Sequence, residues 1–466
     1  MTDVVVIGAG PAGMSAALEL LARGLAVTVV DDQPAPGGRI FAAIETRAAH
    51  GADDTAGADL VAAFRLANGS YLPFTECWQV EVAPGPAGPG PRVLLTRDGS
   101  ATMLTPRHVV LATGAQERPM AFPGWHLPGV LTVGGAQLLL KTARQIPAAP
   151  VWLAGTGPLL LLYARQLIAA GGSVAGILDT TRAGRSAAAW RFVPGALGYG
   201  WRDLARGTGW LAALRRIPRV RGVERIEAVG AGRLAGVRYA TRDGSWGEIA
   251  TEILLVHDGV VPAVHATLAA GCAHRWNAVQ QCLEPVVDTF GRGSQPGIHI
   301  VGDAATILGA RAAMLSGRLA GIGIAVDAGM VDARAAATAA RPLHRKLVGA
   351  ARFRQLLDGL YPPSALPIPD ATMICRCEKV TAGQVRGLLE ERPRLDPDGV
   401  KIATRAGMGP CQGRQCGLTL TRLVAEASGR APAEAGFLRI RPPLKPLTLG
   451  ELASLEAGAQ DLEETA

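Results

Sequence analysis

Four cysteines near the C-terminus are the residues of this chain best suited to carry chemistry. Cys375 and Cys377 form C-R-C, and Cys411 and Cys416 form C-Q-G-R-Q-C after 33 intervening residues. Two tight thiol pairs on separate segments suit an iron–sulfur cluster, whose sulfur ligands converge from two sides. A zinc ion is the main rival reading, although structural zinc usually draws on C-x₂₋₄-C pairs and C-x-C is tight for it. Free thiols are the third. Gly407, Gly409, Gly413 and Gly417 flank the second pair and leave backbone N–H groups free to reach sulfur. Arg376, Lys379, Arg405 and Arg414 lie close in sequence and would offset the charge of four thiolates. Such hydrogen bonds and cations raise a cluster's potential and favour acceptance of electrons. Thr381–Glu391 and Leu418–Ala427 read as the amphipathic helices that would hold the pairs in place.

A second chemical signal opens the chain. Val4–Ile7 is a β-branched run followed at once by Gly8, Ala9, Gly10, Pro11, Ala12 and Gly13. Met14 to Arg23 reads as a helix closed by Gly24, and Ala26–Val30 as a second strand ending at Asp31 and Asp32. In such a βαβ unit Gly8 makes the tight turn and Gly10 lets the backbone approach a pyrophosphate. Gly13 lets helix and strand pack closely, and the acid accepts ribose hydroxyls. Gly37-Gly38-Arg39 follows the second strand. The unit reads as a dinucleotide site.

The pattern recurs at Val151–Ala154, Gly155-Thr156-Gly157-Pro158-Leu159-Leu160, a helix to about Ala170, and a strand Val174–Leu178 ending at Asp179. Leu160 stands where the third glycine belongs and is expected to push helix from strand. Asp179 argues against the 2′-phosphate of NADP. An adenine nucleotide, NAD or ATP, and a Rossmann unit kept only for packing both remain open here.

Composition bounds these readings. The chain has 466 residues, 48% apolar and 18% charged, with 59 glycines and 32 prolines, which is globular and long enough for two to four domains. The longest apolar stretch, Val151–Ala170, is interrupted by Gly155, Gly157, Pro158 and Arg165, so it reads as strand–turn–helix and not as a membrane span. No secretion signal is read at the N-terminus, and cytoplasmic placement is expected, with a peripheral position at the inner membrane face left open. Cys77, Cys272 and Cys282 stand alone and read as buried or idle thiols. No C-x-x-C occurs and no cysteine precedes Cys77, which removes the paired thiol that dithiol–disulfide exchange needs. Ten arginines (182, 185, 191, 202, 206, 215, 216, 219, 221, 225) face only Asp203 and Glu224 between Arg182 and Arg225. They read as a solvated face, a phosphate site or a partner surface, and not as a nucleic-acid surface, because no binding motif accompanies them. No catalytic acid or base stands out. His126, in P-G-W-H, reads as a loop residue.

Val109–Gly114 (V-V-L-A-T-G) and Ile298–Asp303 (I-H-I-V-G-D), together with the first glycine turn, resemble the two-dinucleotide-binding-domain flavoproteins, thioredoxin-reductase-like enzymes among them. The resemblance implies an α/β fold with two Rossmann-like domains and bound FAD. Thr113 and Gly114 would lie near the flavin, and Gly302 with Asp303 near its ribityl chain. The helix from about Ala310 would point its positive end at the ring. The segment from C-R-C-E-K-V-T to M-G-P-C-Q-G-R-Q-C resembles a BFD-like [2Fe-2S] domain, with a spacing of four where two is common. The whole order, including A-T-G-A-Q-E-R-P, F-P-G-W-x-L-P-G-V and G-T-G-P-L-L-L-L, resembles the alpha subunits of dye-linked opine, D-hydroxyproline and hydrogen-cyanide-synthase-type dehydrogenases.

That resemblance implies an electron-transfer subunit with FAD, a [2Fe-2S] cluster held by Cys375, Cys377, Cys411 and Cys416, and in some members FMN at the partner contact. The implied partners are a D-amino-acid-oxidase-type flavoprotein beta subunit that oxidises a C–N bond, a small [2Fe-2S] gamma subunit, and a quinone or cytochrome acceptor. The expected domains are 1–114 with 250–330 for FAD, 115–249 for the inserted Rossmann-like unit, and 331–369 for a helical connector. The cluster domain follows at 370–435 and a C-terminal tail at 436–466, of which the Pro-rich, basic Arg439–Pro446 is expected to pack along the surface. A self-sufficient NADH-dependent reductase and a non-redox nucleotide-binding scaffold are the alternatives.

Overall fold

The computed structural model describes residues 2–47, 52–82, 90–182 and 189–455. Val4–Ile7 is buried along its whole length, as a strand covered on both faces must be. It is the centre of a five-stranded parallel sheet with the order Ile298–Ile300, His108–Leu111, Val4–Ile7, Val27–Val30, Ser70–Leu72. The helix Pro11–Leu21 starts with proline in its first turn, where a missing N–H costs nothing, and packs against the helix Ala310–Asp327. An antiparallel sheet of Glu76–Glu81, Arg92–Arg97 and Ser100–Leu104 is attached to this unit.

The second unit repeats the plan. Its parallel sheet runs Arg219–Arg221, Val174–Asp179, Val151–Thr156, Leu254–Asp258, Val130–Thr132, and its antiparallel sheet is Val223–Val229, Gly236–Thr241 and Trp246–Ala250. Leu254–Asp258 pairs on both sides within that sheet. A boundary at 250 would therefore cut through it, and we place the return to the first unit after Asp258. The helix Ala333–Leu360 packs on both Ala310–Asp327 and Val193–Ala213 and ties the units together.

Beyond it, Met373–Cys375 pairs with Val380–Thr381 and leads into the helix Ala382–Glu391. That helix begins with a full capping box between Thr381 and Gln384. The helices Pro397–Thr404 and Gly417–Ser428 complete the cysteine-bearing unit. One hydrophobic core joins it to the first sheet. Val5, Ile7, Val109 and Leu111 belong to the same cluster as Cys375, Val385, Cys416, Leu420 and Leu423. The tail enters this core instead of lying along the surface, because Leu438, Ile440 and Leu444 are buried and the Leu444 N–H donates to the Trp78 carbonyl at 2.8 Å. Residues 456–466 of the expected tail lie outside the described residues.

Leu438, 1% exposed, is the plug of the cysteine unit. Truncating it, Leu438→Ala, should cost about 2–5 kcal/mol locally. A urea titration should then show iron lost at lower urea than in the unaltered chain, while flavin is retained.

Candidate redox-cofactor sites

The first glycine turn is shaped by contacts that exclude side chains. A Cβ at Gly13 would lie 1.9 Å from the Gly8 carbonyl oxygen, so the helix can start this close to the strand only with glycine. Gly10 is different: a Cβ there would meet only the Gly38 Cα, at 3.9 Å, and would fill an open cradle between the two loops. The Gly37 N–H donates to the Ala9 carbonyl at 2.9 Å and holds the second loop across the first. Asp31 closes the turn from below. One of its oxygens accepts from the Ala9 N–H, and the other from the Gln33 N–H at 2.7 Å. Burial pushes its carboxyl up in pKa, and the backbone donors counteract that. This is the donor-rich, uncluttered backbone that a pyrophosphate needs.

The structure brings the other expected residues to the same edge of the sheet in different states. Asp303 accepts from the Leu308 and Gly309 N–H groups, both at 3.0 Å, and so fixes the loop before the helix Ala310–Asp327. Gly302 packs on Ala12. The Thr113 hydroxyl donates to the Ala263 carbonyl at 3.2 Å, and Gly114 takes a positive φ of 68°. Arg39 is exposed. Asp32 is also exposed and is ion-paired with Lys445 at 3.0 Å, which bridges to Glu76 at 2.7 Å. Lys445 comes from the tail, and no local pattern points to it.

In the second unit Gly155 and Gly157 keep the left-handed turn, with φ of 131° and 110°. Leu160 stands in the place of the third glycine, within the first turn of the helix Pro158–Ala169. It turns into the core between helix and sheet and is 3% exposed. Asp179 is engaged within the chain, by Arg219 at 2.8 Å and the Thr181 N–H at 3.0 Å. His257, far away in sequence, puts its ring against Gly157 and bonds Glu117 at 2.7 Å through Nδ1. Glu117 in turn accepts from the Gly134 N–H at 2.9 Å. Arg206 pairs with Asp53 and Asp203, so part of the arginine-rich segment is structural. Arg185 lies outside the described residues.

The four cysteines converge as two pairs, each with one member from each segment. The Cys416 thiol donates to Cys375, and Cys377 meets Cys411. The hydrogen bond from Cys416, with help from the Gly407, Glu378 and Cys377 backbone, pulls the Cys375 thiol down to about 6. The same bond pushes the Cys416 thiol up. Among the described residues the one His, Cys, Asp or Glu trio with all ligand atoms within 4.8 Å is His108, His299 and Asp327, whose carboxylate is already held by Arg292 at 2.7 and 2.9 Å. No three of the four sulfurs close up as they would around one tetrahedral ion. Two thiol pairs, each drawn from both segments, suit two irons. A Cβ at Gly409 would come within 2.2 Å of the Cys377 Cβ, which lets the second loop reach the first pair. Cys375 and Cys416 are buried and Cys377 is exposed, so one corner of the site faces solvent. The P-G-W-H loop also finds a role, since the Trp125 indole N–H donates to the Met373 carbonyl at 2.5 Å.

Fold and sites together define a two-Rossmann-unit flavoprotein oxidoreductase that binds FAD and a [2Fe-2S] cluster. Residues 2–182 match the pyridine nucleotide-disulphide oxidoreductase family, and residues 373–426 match the BFD-like [2Fe-2S] binding domain. The chain belongs to the family that unites subunits of opine oxidase with the HcnB subunits of hydrogen cyanide synthase. It is 40% identical over 477 residues to an opine oxidase subunit from Rhizobium meliloti, covering 99% of this chain and 89% of that one. It is 32% identical to the hydrogen cyanide synthase subunit HcnB of Pseudomonas protegens, covering 95% and 96%. Among solved structures, L-proline dehydrogenase from P. horikoshii shares the fold with a TM-score of 0.71 at 23% identity, over 97% of this chain and 79% of that one.

Two substitutions separate the sites. Gly13→Val should leave the purified chain without flavin absorbance but with its iron. Cys377→Ser should do the reverse, keeping flavin and losing the cluster's visible and EPR signals.

Proposed function

We propose that this chain is the electron-transfer subunit of a heteromeric dye-linked dehydrogenase. The substrate would be an opine, D-hydroxyproline or a related amino acid, oxidised at its C–N bond in a D-amino-acid-oxidase-type partner. Bound FAD and [2Fe-2S] would supply conversion of an electron pair into single electrons, for release to a quinone or cytochrome. In this reading Gly8, Gly10, Pro11, Ala12 and Gly13 seat the pyrophosphate, Asp31 supports the turn, and Asp303 meets the ribityl chain. The positive end of the helix Ala310–Asp327 favours negative charge on the ring. Cys375, Cys377, Cys411 and Cys416 hold the cluster.

The observation that carries this reading is the shared core between the first parallel sheet and the cysteine pairs. It holds a flavin cradle and a cluster site as one body. The described structure also brings no cysteine to the glycine turn; Cys77 lies on the antiparallel sheet, where burial pushes its thiol up to about 12. In the second unit the ribose acid Asp179 is engaged by Arg219, which favours a Rossmann unit kept for packing over an adenine nucleotide that delivers hydride.

An anaerobic titration with NADH distinguishes the readings. The expected outcome is that flavin absorbance near 450 nm and the cluster EPR signal do not change, while dithionite reduces both. Stoichiometric bleaching by NADH would make the chain a self-sufficient reductase.

A further inference from the structure

We propose that His265 is the positioning residue that couples the flavin site to the iron–sulfur site. The proposal rests on the relay reading above and adds the point of contact between its two halves. His265 opens the helix His265–Ala269, directly after the strand Val260–Pro262. That strand pairs with Ala115–Glu117, the continuation of the A-T-G turn. Two further bonds lock the join: Thr113 Oγ1 donates to the Ala263 carbonyl at 3.2 Å, and the Ala263 N–H donates to the Gly114 carbonyl at 3.0 Å. The same strand pair also reaches the cysteines. Gln116 Nε2 donates at 3.2 Å to the carbonyl of Arg414, which lies between Cys411 and Cys416. The His265 ring lies against the Gln412 backbone and near the Arg414 guanidinium. Ala266, the next residue, is packed in the core that contains Cys375 and Cys416.

His265 thus stands between the turn assigned to the flavin and the loop that carries two cluster ligands. It is 4% exposed; its ring approaches the Gln412 backbone, but neither nitrogen finds a partner at full hydrogen-bond geometry within the chain. Gln412 Oε1, on the loop whose backbone the ring meets, is buried and unpaired as well, while its Nε2 donates to the Pro443 carbonyl at 2.6 Å. Buried polar groups are nearly always satisfied, and leaving one unpaired costs about 1–3 kcal/mol. A neutral imidazole can donate with one nitrogen and accept with the other, so it can bond a group on each side at once. The geometry assigns those partners to the bound redox groups and the loop that holds them. A hydrogen bond of this kind orients a cluster's surroundings and sets its potential.

The test uses the full chain loaded with both cofactors. Flavin is photoreduced, and the rate at which the cluster EPR signal appears is compared between the unaltered chain, His265→Phe and His265→Gln. The Phe variant should retain its FAD and iron yet reduce the cluster about 10- to 100-fold more slowly, with shifted g values and midpoint potential. Gln, which restores a donor and an acceptor, should recover most of the rate. Unchanged rate, g values and potential in the Phe variant would overturn the proposal and leave His265 bonded to buried water only. Should Phe fail to load either cofactor, His265→Ala replaces it with the same criteria. If the unaltered chain itself passes no electrons from flavin to cluster, the relay reading fails, whatever His265 does.

Discussion

The hydrophobic core shared by the first parallel sheet and the cysteine-bearing helices is the constraint on which the rest of the structure depends. Val5, Ile7 and Leu111 in the sheet and Cys375, Cys416 and Leu420 beyond it are packed as one cluster, so neither site can shift without the other. Dense packing transmits displacement instead of absorbing it. Tail residues Leu438, Ile440 and Leu444 fill the same core, and Lys445 carries the connection to Asp32 beside the glycine turn. A Pro-rich, basic segment expected to pack along the surface instead ties the cysteine unit to the glycine turn.

The two Rossmann units show how one plan can be put to two uses. In the first, Asp31 spends both oxygens on backbone N–H groups and stiffens the turn that the ligand meets. In the second, Asp179 is committed to Arg219, and His257 with Glu117 stands over Gly157. The first cradle is lined by backbone donors with room between them. The second is lined by side chains that already satisfy one another, which weakens the case for a ligand that must react there.

Much of this was legible in the sequence because the decisive features are local. Glycine spacing, the β-branched run before it and the acid after it all lie within one βαβ unit, so the glycine turn could be read locally, while Thr113, Gly114, Gly302 and Asp303 were reached only through a family resemblance. The cysteine set was legible because thiol pairs have few other uses in such a chain. What stayed hidden was what the fold brings together from a distance. Glu117 and His257 are 140 residues apart, Trp125 and Met373 are 248, and Asp32 and Lys445 are 413. A spacing rule places a residue beside a strand, but the side chain's direction into the core is set by tertiary packing. Strand partners such as Val130–Thr132 for Leu254–Asp258 are likewise not encoded in either segment.

Rapid freeze-quench EPR of the complex isolated with this chain, mixed anaerobically with the amine substrate proposed for it, tests the central claim most directly. The account predicts that the reduced-cluster signal of this chain appears within the first turnover and disappears when a quinone acceptor is added. A complex that turns over at full rate while this cluster stays oxidised would contradict it.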